Sequence, residues 1–271
     1  MASLIGVGDN TVDRYMDRNQ MYPGGNSVNV PVFYKRSGGA SSYLGWLGDD
    51  TRGHLVLDSL RAEGVDVSHC RVLPEPTGRC DIELHDGDRV FVGSIPGAQK
   101  KINLEEPDYA YISRHNVTHT SIYSFIEPQL PDLKQASNLL SFDYSSSWSR
   151  EYLDKTLPYV DAAFLSAPKL SEHELEQLMY WIYDQNHALV VVTRGEKGSA
   201  AYDGGKILHQ GIKETDVVDT LGAGDSYIAR LLYETQRGGE LGEAMHRAAE
   251  SAAETCRYYG AWGHGVYIEE P

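Results

Sequence analysis

Strand-like runs alternate with helical patterns along most of this chain, and no other feature of the sequence constrains the fold as strongly. Apolar runs typical of buried strands occur at 3–8, 41–48, 117–123, 139–145, 161–167 and 188–193. A helix is predicted from about Thr51 to Gly64, and another after Ser171, which has capping-box spacing to Glu174. Alternation of this kind predicts a mostly parallel sheet in one α/β domain over residues 1–271.

Residues 77–93 interrupt this alternation. Two strand-like arms flank Asp86-Gly87, a typical hairpin turn, and no helical pattern separates them. These residues alone fit a surface hairpin as well as a lid over a site at the carboxyl ends of the parallel strands, where ligands of such folds bind.

Charge and composition exclude several classes of protein. The net charge of −15 and the pI near 5.0 argue against a nucleic-acid partner, which would need clustered lysine and arginine. The sequence has neither a signal peptide nor an apolar run long enough to span a membrane, so no membrane partner is predicted. Three dispersed cysteines favour a reducing compartment, the cytoplasm. The scattered histidines lack the spacing of a metal site.

The stretch VVDTLGAGDSYIARLL near the C-terminus has two interpretations. Gly222, Ala223 and Gly224 could form an ordinary turn before a helix that Asp225 caps. Alternatively, the small residues let an anion approach the backbone amides of a helix N-terminus, and Asp225 is then a general base.

Two glycine-containing segments precede this stretch in the N-terminal third. Asp9 and Asp13 follow the first strand, where carboxylates can accept hydrogen bonds from hydroxyl groups, although turn or capping roles fit equally well. Further on, Gly25 precedes Asn26 and Asn29, which share one helical face; this pattern fits a ligand site or a capped turn.

A third glycine-containing loop follows the strand at 188–193. Thr193, Gly195 and Gly198 make a flexible connection there, but the Gly-Lys-Ser/Thr ending of a Walker A loop is missing. The sequence therefore does not predict a P-loop NTPase.

Together these elements resemble the PfkB/ribokinase-like carbohydrate kinases over nearly the whole chain. PGGNSVNVPVFYKRSGG resembles the N-terminal signature of that family, DTLGAGDSYIARLL its C-terminal signature, and LGWLGDDTRG its Gly-x-x-Gly-x-Asp segment. The resemblance implies a ribokinase-like fold with a small antiparallel β lid, contributed mainly by 77–97 and also by 14–22.

The resemblance also implies roles for the residues singled out above. Asp225 would be the catalytic base beside an anion hole of Gly222, Ala223 and Gly224. The implied sugar ligands are Asp9, Asp13, Gly25, Asn26 and Asn29; the implied nucleotide ligands are Thr193, Gly195, Gly198 and Asp219. The implied cofactors are ATP and Mg²⁺, with a monovalent cation such as K⁺ near Asp219 and 257–261. The expected partners are a sugar or sugar-amine substrate, ATP, and a second copy bound through the lid.

One segment departs from the family pattern. Many relatives carry Asn-x-x-Glu after the fifth strand, where this chain has Ser166 and Lys169; a shifted Glu172 or Glu174 is the expected substitute. This departure favours a binding protein that has lost phosphoryl transfer as the alternative to a kinase.

Within the family, several short runs resemble the fructoselysine 6-kinases. They include GDNTVD, ELHDGDRVF, FDYSSSW and YYGAW. The implied activity is phosphorylation of the 6-hydroxyl of a fructosamine, with other ketoses, ribose-like sugars, keto-deoxy sugar acids and nucleosides as alternative substrates. Arg89 is the predicted partner of the amino-acid carboxylate, with a solvated arginine as the alternative.

Overall fold

The computed structural model describes residues 2–85 and 88–268, without the side chains of 84–91. Its strands are β1 (Ser3–Val7), β2 (Thr11–Tyr15), β3 (Gln20–Gly24), β4 (Ala40–Leu44), β5 (Trp46–Gly48), β6 (Arg71–Leu73), β7 (Arg79–His85), β8 (Asp88–Ile95), β9 (Val117–Ser121), β10 (Leu140–Asp143), β11 (Ala162–Ser166), β12 (Leu189–Thr193), β13 (Ser199–Tyr202), β14 (Leu208–Gln210) and β15 (Val266–Tyr267). Its α-helices are α1 (Asn26–Arg36), α2 (Thr51–Ala62), α3 (Glu106–Ile112), α4 (Leu130–Ala136), α5 (Arg150–Thr156), α6 (Glu172–Asn186), α7 (Ala223–Gln236) and α8 (Leu241–Thr255).

The large sheet has the strand order β14-β13-β12-β11-β10-β9-β1-β4. The strands from β12 to β4 are parallel, and β13 and β14 continue the sheet antiparallel. From β1 the chain crosses to β4 on one side, and it later returns to β9 on the other side of β1. This reversal predicts a crevice at the carboxyl ends of β1 and β9. Ligands of open α/β sheets bind in such crevices.

Helices cover both faces of this sheet. Helices α1, α2, α7 and α8 contribute to the hydrophobic core on one face, and α3, α4, α5 and α6 contribute to the core on the other. The side chains of successive β1 residues pack on opposite faces of the sheet: Leu4 lies in the core on the α1 side, and Ile5 lies in the core on the other side. The predicted mostly parallel α/β sheet with flanking helices is confirmed.

A second, smaller sheet has the order β15-β3-β2-β7-β8. It contains the predicted hairpin, whose arms are β7 and β8, together with the 14–22 segment, which supplies parts of β2 and β3. Its pairings are antiparallel except between β2 and β7, which are parallel. The C-terminal strand β15 joins this sheet beside β3, a contribution that the sequence pattern did not predict. The predicted turn residues Asp86 and Gly87 lie outside the described residues.

The predicted strand at 41–48 is two strands in different sheets. Strand β4 ends at Leu44, and after Gly45 strand β5 pairs with β6 in a separate two-stranded sheet. A side chain at Gly45 would collide with the Tyr43 hydroxyl, at 2.0 Å from a Cβ. The chain therefore changes direction where only glycine fits. Across residues 2–85 and 88–268, no helix has both the length and the apolarity needed to cross a membrane.

Candidate active site

The predicted anion hole lies at the N-terminus of α7. Gly222 is the N-cap residue, with φ of 78°, and its carbonyl accepts the Ser226 amide at 2.9 Å. A Cβ on Gly222 would come within 2.6 Å of the Ala261 Cβ, so both its conformation and its packing require glycine. The cap is therefore formed by Gly222 and not by the Asp225 side chain.

The amides of this turn differ in their hydrogen bonding. The Ala223 amide donates to the Thr220 carbonyl at 3.3 Å. Within the described part of the chain, the amides of Gly224 and Asp225 have no acceptor, as expected in the first turn of a helix. Gly224 is exposed, and a Cβ on it would meet nothing within 4 Å, so the backbone here is open to an approaching ligand. The geometry suits an anion there, one residue later than the predicted trio.

A chain of hydrogen bonds orients Asp225 beside these amides. The indole nitrogen of Trp262 donates to Asn29 Oδ1 at 2.7 Å, which fixes the orientation of the Asn29 amide. Asn29 Nδ2 then donates to Asp225 Oδ2 at 2.8 Å. Asp225 Oδ1 remains available as an acceptor among the described residues. Asn29 therefore contacts the predicted base, and Trp262 is a supporting residue that the sequence analysis missed.

The environment of Asp225 favours proton acceptance. Burial raises the pKa of this carboxyl well above its usual range, and repulsion from Asp143 raises it further, against the hydrogen bond from Asn29. A buried carboxylate with a raised pKa is a better proton acceptor than an ordinary aspartate.

Asp143 is a second buried carboxylate in the site, and the sequence analysis assigned it no role. It ends β10, and its Oδ2 accepts a short hydrogen bond from Asn26 Nδ2, while Oδ1 accepts the Ser145 amide at 2.7 Å. Burial raises its pKa to about 6. An acidic residue at the carboxyl end of a predicted parallel strand was the available signal.

Asp9 uses its carboxylate to hold the local backbone. It accepts hydrogen bonds from the amides of Asn26 and Ser27 at the start of α1, and from the hydroxyls of Ser121 and Ser124 after β9. Oδ1 accepts three of these bonds, and Oδ2 accepts the one from the Asn26 amide. Its predicted contact with a sugar stays a prediction, and this geometry favours a positioning role for Asp9.

Asp13 and Gly25 lie where the small sheet meets α1. Asp13, on β2, is 4% exposed, and its carboxylate packs so closely on Gly24 that a Cβ there would be 2.2 Å away. Gly25 has φ of 112°, and a Cβ on it would approach the Asn10 Cα to 2.8 Å. These glycines bring the backbone close to the acidic side chains, and their predicted contacts with a sugar are untested.

The predicted nucleotide loop connects β12 to β13. Gly195 and Gly198 have φ of 59° and 82°, and the Arg194 amide donates to the Gly198 carbonyl at 2.8 Å. Thr193 Oγ1 donates to a neighbouring carbonyl on β11. Ser199, directly after the loop, shares a 2.7 Å hydrogen bond with Tyr227 on α7. This bond joins the strand that follows the loop to the helix of the anion hole.

Asp219 points toward the small sheet. Its Oδ2 accepts a short hydrogen bond from the Tyr15 hydroxyl on β2 and a 3.1 Å bond from the Gly260 amide, while Oδ1 accepts the Leu221 amide at 2.9 Å. These contacts tie the small sheet to the anion-hole turn and to the loop before β15. Its assignment to nucleotide or monovalent-cation binding remains a prediction.

The two glutamates expected to replace the missing family motif have other contacts. Glu172 forms a 2.5 Å ion pair with Arg194, and Glu174 forms the predicted capping box with Ser171. Across the described ranges, no three His, Cys, Asp or Glu side chains form a group that could hold a metal ion. The Arg89 side chain lies outside the described residues.

Comparison with known proteins identifies the family. The sequence model of a family described as "pfkB family carbohydrate kinase" matches residues 1–263. The chain is 41% identical to the fructosamine kinase FrlD of Bacillus subtilis (strain 168), over 97% of this chain and 93% of that protein. It is 37% identical to the fructoselysine 6-kinase of Escherichia coli (strain K12), over 97% and 100%.

Solved structures support the same fold. The ribokinase of Arabidopsis thaliana, described as complexed with ribose and ATP, superposes with a TM-score of 0.83 at 22% identity, over 97% of this chain and 95% of that one. The ribokinase of Thermotoga maritima superposes with a TM-score of 0.80 at 18% identity, over 99% and 97%. The predicted ribokinase-like fold is confirmed, and the chain belongs to the pfkB family of carbohydrate kinases.

Proposed function

We propose that this protein is an ATP-dependent fructosamine kinase that phosphorylates the 6-hydroxyl of a substrate such as fructoselysine. The observation that carries the proposal is the placement of Asp225, which Asn29 orients beside two amides of α7 that have no acceptor among the described residues. Identities of 37–41% to proteins named fructoselysine 6-kinase and fructosamine kinase support the choice of substrate.

In the proposed reaction, the substrate hydroxyl loses its proton to Asp225 Oδ1. The hydroxyl oxygen forms a bond to the γ-phosphorus as the bond from that phosphorus to the ADP oxygen breaks. The amides of Gly224 and Asp225 donate to the phosphoryl oxygens, where negative charge is largest. Asp225 is buried but Gly224 is exposed, so these hydrogen bonds would become stronger than in water once the bound substrates exclude solvent.

The proposed nucleotide site comprises the Thr193–Gly198 loop and the start of α7. Magnesium fits this chain as an ion carried by the nucleotide, because Mg²⁺ commonly binds phosphates and water with few protein ligands. When bound, it would supply neutralisation of the phosphate charge. A monovalent cation near Asp219 is part of the same proposal.

We also propose that the small sheet is a lid and that it joins two copies of the chain. Met16, which follows β2, and Val92 and Ile95, on β8, are each about half exposed. Apolar side chains grouped on one small sheet favour association with an equivalent sheet. Light scattering tests this proposal: a mass of two chains supports it, and a monomer at all concentrations contradicts it. A cytoplasmic location remains the expectation from the three free cysteines.

A coupled assay of ADP release over a panel of substrates tests the proposed activity. The panel contains fructoselysine, other fructosamines, fructose, ribose, a keto-deoxy sugar acid and a nucleoside, and NMR of the product identifies the phosphorylated carbon. The highest kcat/KM with a fructosamine and phosphate at C6 support the proposal. Preference for another substrate would reassign the specificity.

A binding protein without transfer activity is the second candidate, since Ser166 and Lys169 replace the family Asn-x-x-Glu pair. Substrate binding without ADP release would favour it.

A further inference from the structure

An aromatic rim beside Asp143 has no part in the proposed phosphoryl transfer. Tyr123 and Phe125 follow β9 and are 40% and 42% exposed. The Tyr123 hydroxyl shares a 2.9 Å hydrogen bond with Ser147 and donates to Ser145 at 3.3 Å, which joins the loops after β9 and β10. We call Tyr123, Phe125, Ser145 and Lys100 the rim.

The backbone of the rim holds unfavourable conformations. Phe125 has φ of 55° and Ser145 has φ of 50°. Both lie in the left-handed region, which residues other than glycine and asparagine seldom adopt. Ser145 in this conformation donates its amide to Asp143 at 2.7 Å. Such conformations cluster at ligand sites, where the surrounding structure maintains them.

The charges at the two ends of the rim have opposite sign. Asp143 is 7% exposed, and none of the described Lys, Arg or His side chains forms an ion pair with it. Its two hydrogen-bond donors leave lone pairs for further bonds. At the other end, the ammonium of the exposed Lys100 lies 5.5 Å from the centre of the Phe125 ring.

We propose that the rim binds the amino-acid part of a fructosamine substrate, with Asp143 accepting a hydrogen bond from the protonated adduct nitrogen and Lys100 pairing with the amino-acid carboxylate. This inference rests on the proposed function and adds the residues that select a fructosamine over a simple sugar. The aromatic rings of Tyr123 and Phe125 would pack on the aliphatic carbons between the two charged groups.

The spacing along α1 supports this orientation of the substrate. Asn26 contacts Asp143, and Asn29 contacts Asp225. Residues three apart in a helix are neighbours on one face, about 5–6 Å apart at their Cβ atoms. The two carboxylates are therefore bound by neighbouring asparagines of α1, whose spacing is comparable with the distance from C6 to C1 of a hexose. A sugar with its 6-hydroxyl at Asp225 places its C1 substituent at Asp143.

Charge explains why a fructosamine should bind at Asp143 with higher affinity than fructose does. A buried carboxylate without a cationic partner is unfavourable, and a protonated secondary amine would supply that partner. A hydroxyl or ether oxygen at C1 supplies no charge. We expect the charge-assisted hydrogen bond to favour the amine by roughly 10- to 100-fold in affinity.

The first test compares two C1 analogues as inhibitors of fructoselysine phosphorylation. One is 1-deoxy-1-methylamino-fructose, which is cationic, and the other is 1-O-methyl-fructose, its neutral ether counterpart. The native enzyme should bind the amine at least 10-fold more tightly, and Asp143→Asn should reduce this preference to less than about 3-fold. Equal affinity of the native enzyme for both analogues would overturn the proposal, and so would a preference that survives in Asp143→Asn.

The second test concerns Lys100. Lys100→Gln should raise the KM for fructoselysine about 10-fold with little change in kcat, and it should leave the KM for the adduct of fructose with cadaverine unchanged, because that adduct lacks the carboxylate. Lys101→Gln is the matched control, since Lys101 is the adjacent exposed lysine and lies 4.0 Å from Glu75. Equal effects of Lys100→Gln on both adducts would remove Lys100 from carboxylate recognition.

These tests separate the inference from the function on which it rests. If native enzyme releases no ADP with any fructosamine, the proposed function fails together with the inference. If native enzyme phosphorylates fructoselysine but both variants behave like native enzyme, the function stands and the inference alone is refuted.

Discussion

Gly224 offers a clean test of the anion hole, because the structure predicts opposite effects on stability and activity. A Cβ there would meet no heavy atom within 4 Å, and the backbone is not in the left-handed region. The helical residue Gly224 should therefore accept alanine without strain. Since alanine favours a helix over glycine by about 0.5–1 kcal/mol, Gly224→Ala should leave the melting temperature unchanged or raise it by about 1–4 °C.

Activity should change in the opposite direction. If the phosphoryl group binds against the backbone at Gly224 as proposed, the added methyl group would obstruct its approach to the amides of Gly224 and Asp225. Losing one such donor typically costs about 10²–10³-fold in turnover. Gly224→Val, which is bulkier, should lose at least as much. Steady-state ADP release gives turnover, and differential scanning calorimetry gives stability.

Gly222→Ala is the contrasting variant. Its left-handed φ and its 2.6 Å approach to the Ala261 Cβ predict a loss of about 2–5 kcal/mol of stability. Stable Gly224→Ala and Gly224→Val proteins with native turnover would refute the reasoning, because no phosphate could then lie against this backbone. An unstable Gly224→Ala would instead contradict the open space seen in the structure.

Three further predictions address the base, the lid and the core. Asp225→Asn should reduce turnover about 10²–10⁴-fold with little change in nucleotide affinity, and near-native turnover would exclude Asp225 as the base. Amides of β7 and β8 should exchange more slowly when the sugar substrate is bound, because closure of a lid excludes water; equal exchange would leave a surface hairpin. Burial lowers the pKa of His119 to about 3 from 6.5, so its contribution to stability is complete above pH 6.5 and decreases as the pH falls. Chemical denaturation at pH 8 and pH 5 should reveal about 2 kcal/mol more acid destabilisation in native protein than in His119→Gln, and equal pH dependence would contradict this.

Local patterns were sufficient to predict most of the fold. Apolar runs located the six parallel strands of the large sheet but not β13 and β14, and the Ser171 capping box located the start of α6. The split after Leu44 was missed because both parts are apolar and only the pairing partner differs. Strand β15 was missed because two residues carry no periodicity, and its place beside β3 depends on contacts far apart in sequence.

The candidate site was predictable only in its contiguous pieces. The glycine-rich turn and the two asparagines could be recognised from sequence, but the contact between Asn29 and Asp225 spans 196 positions and that between Trp262 and Asn29 spans 233. Such pairs form through packing of α1 against α7 and the C-terminal loop, which no local pattern encodes. The sequence therefore predicts which side chains could contact a bound molecule, but not which other side chains of the protein they contact.

Asp9, Asp143 and Asp225 differ in the number of hydrogen-bond donors that surround their carboxylates. Asp9 accepts four hydrogen bonds, three of them at Oδ1, whereas Asp225 accepts one and Asp143 accepts two. Burial raises the pKa of Asp143 and of Asp225, because few donors surround their carboxylates. Each carboxylate is therefore stabilised when a ligand supplies a proton or a cation. We therefore expect Asp143 and Asp225 to contact the ligand directly, and Asp9 to hold the start of α1 in place through its bonds to the Asn26 and Ser27 amides.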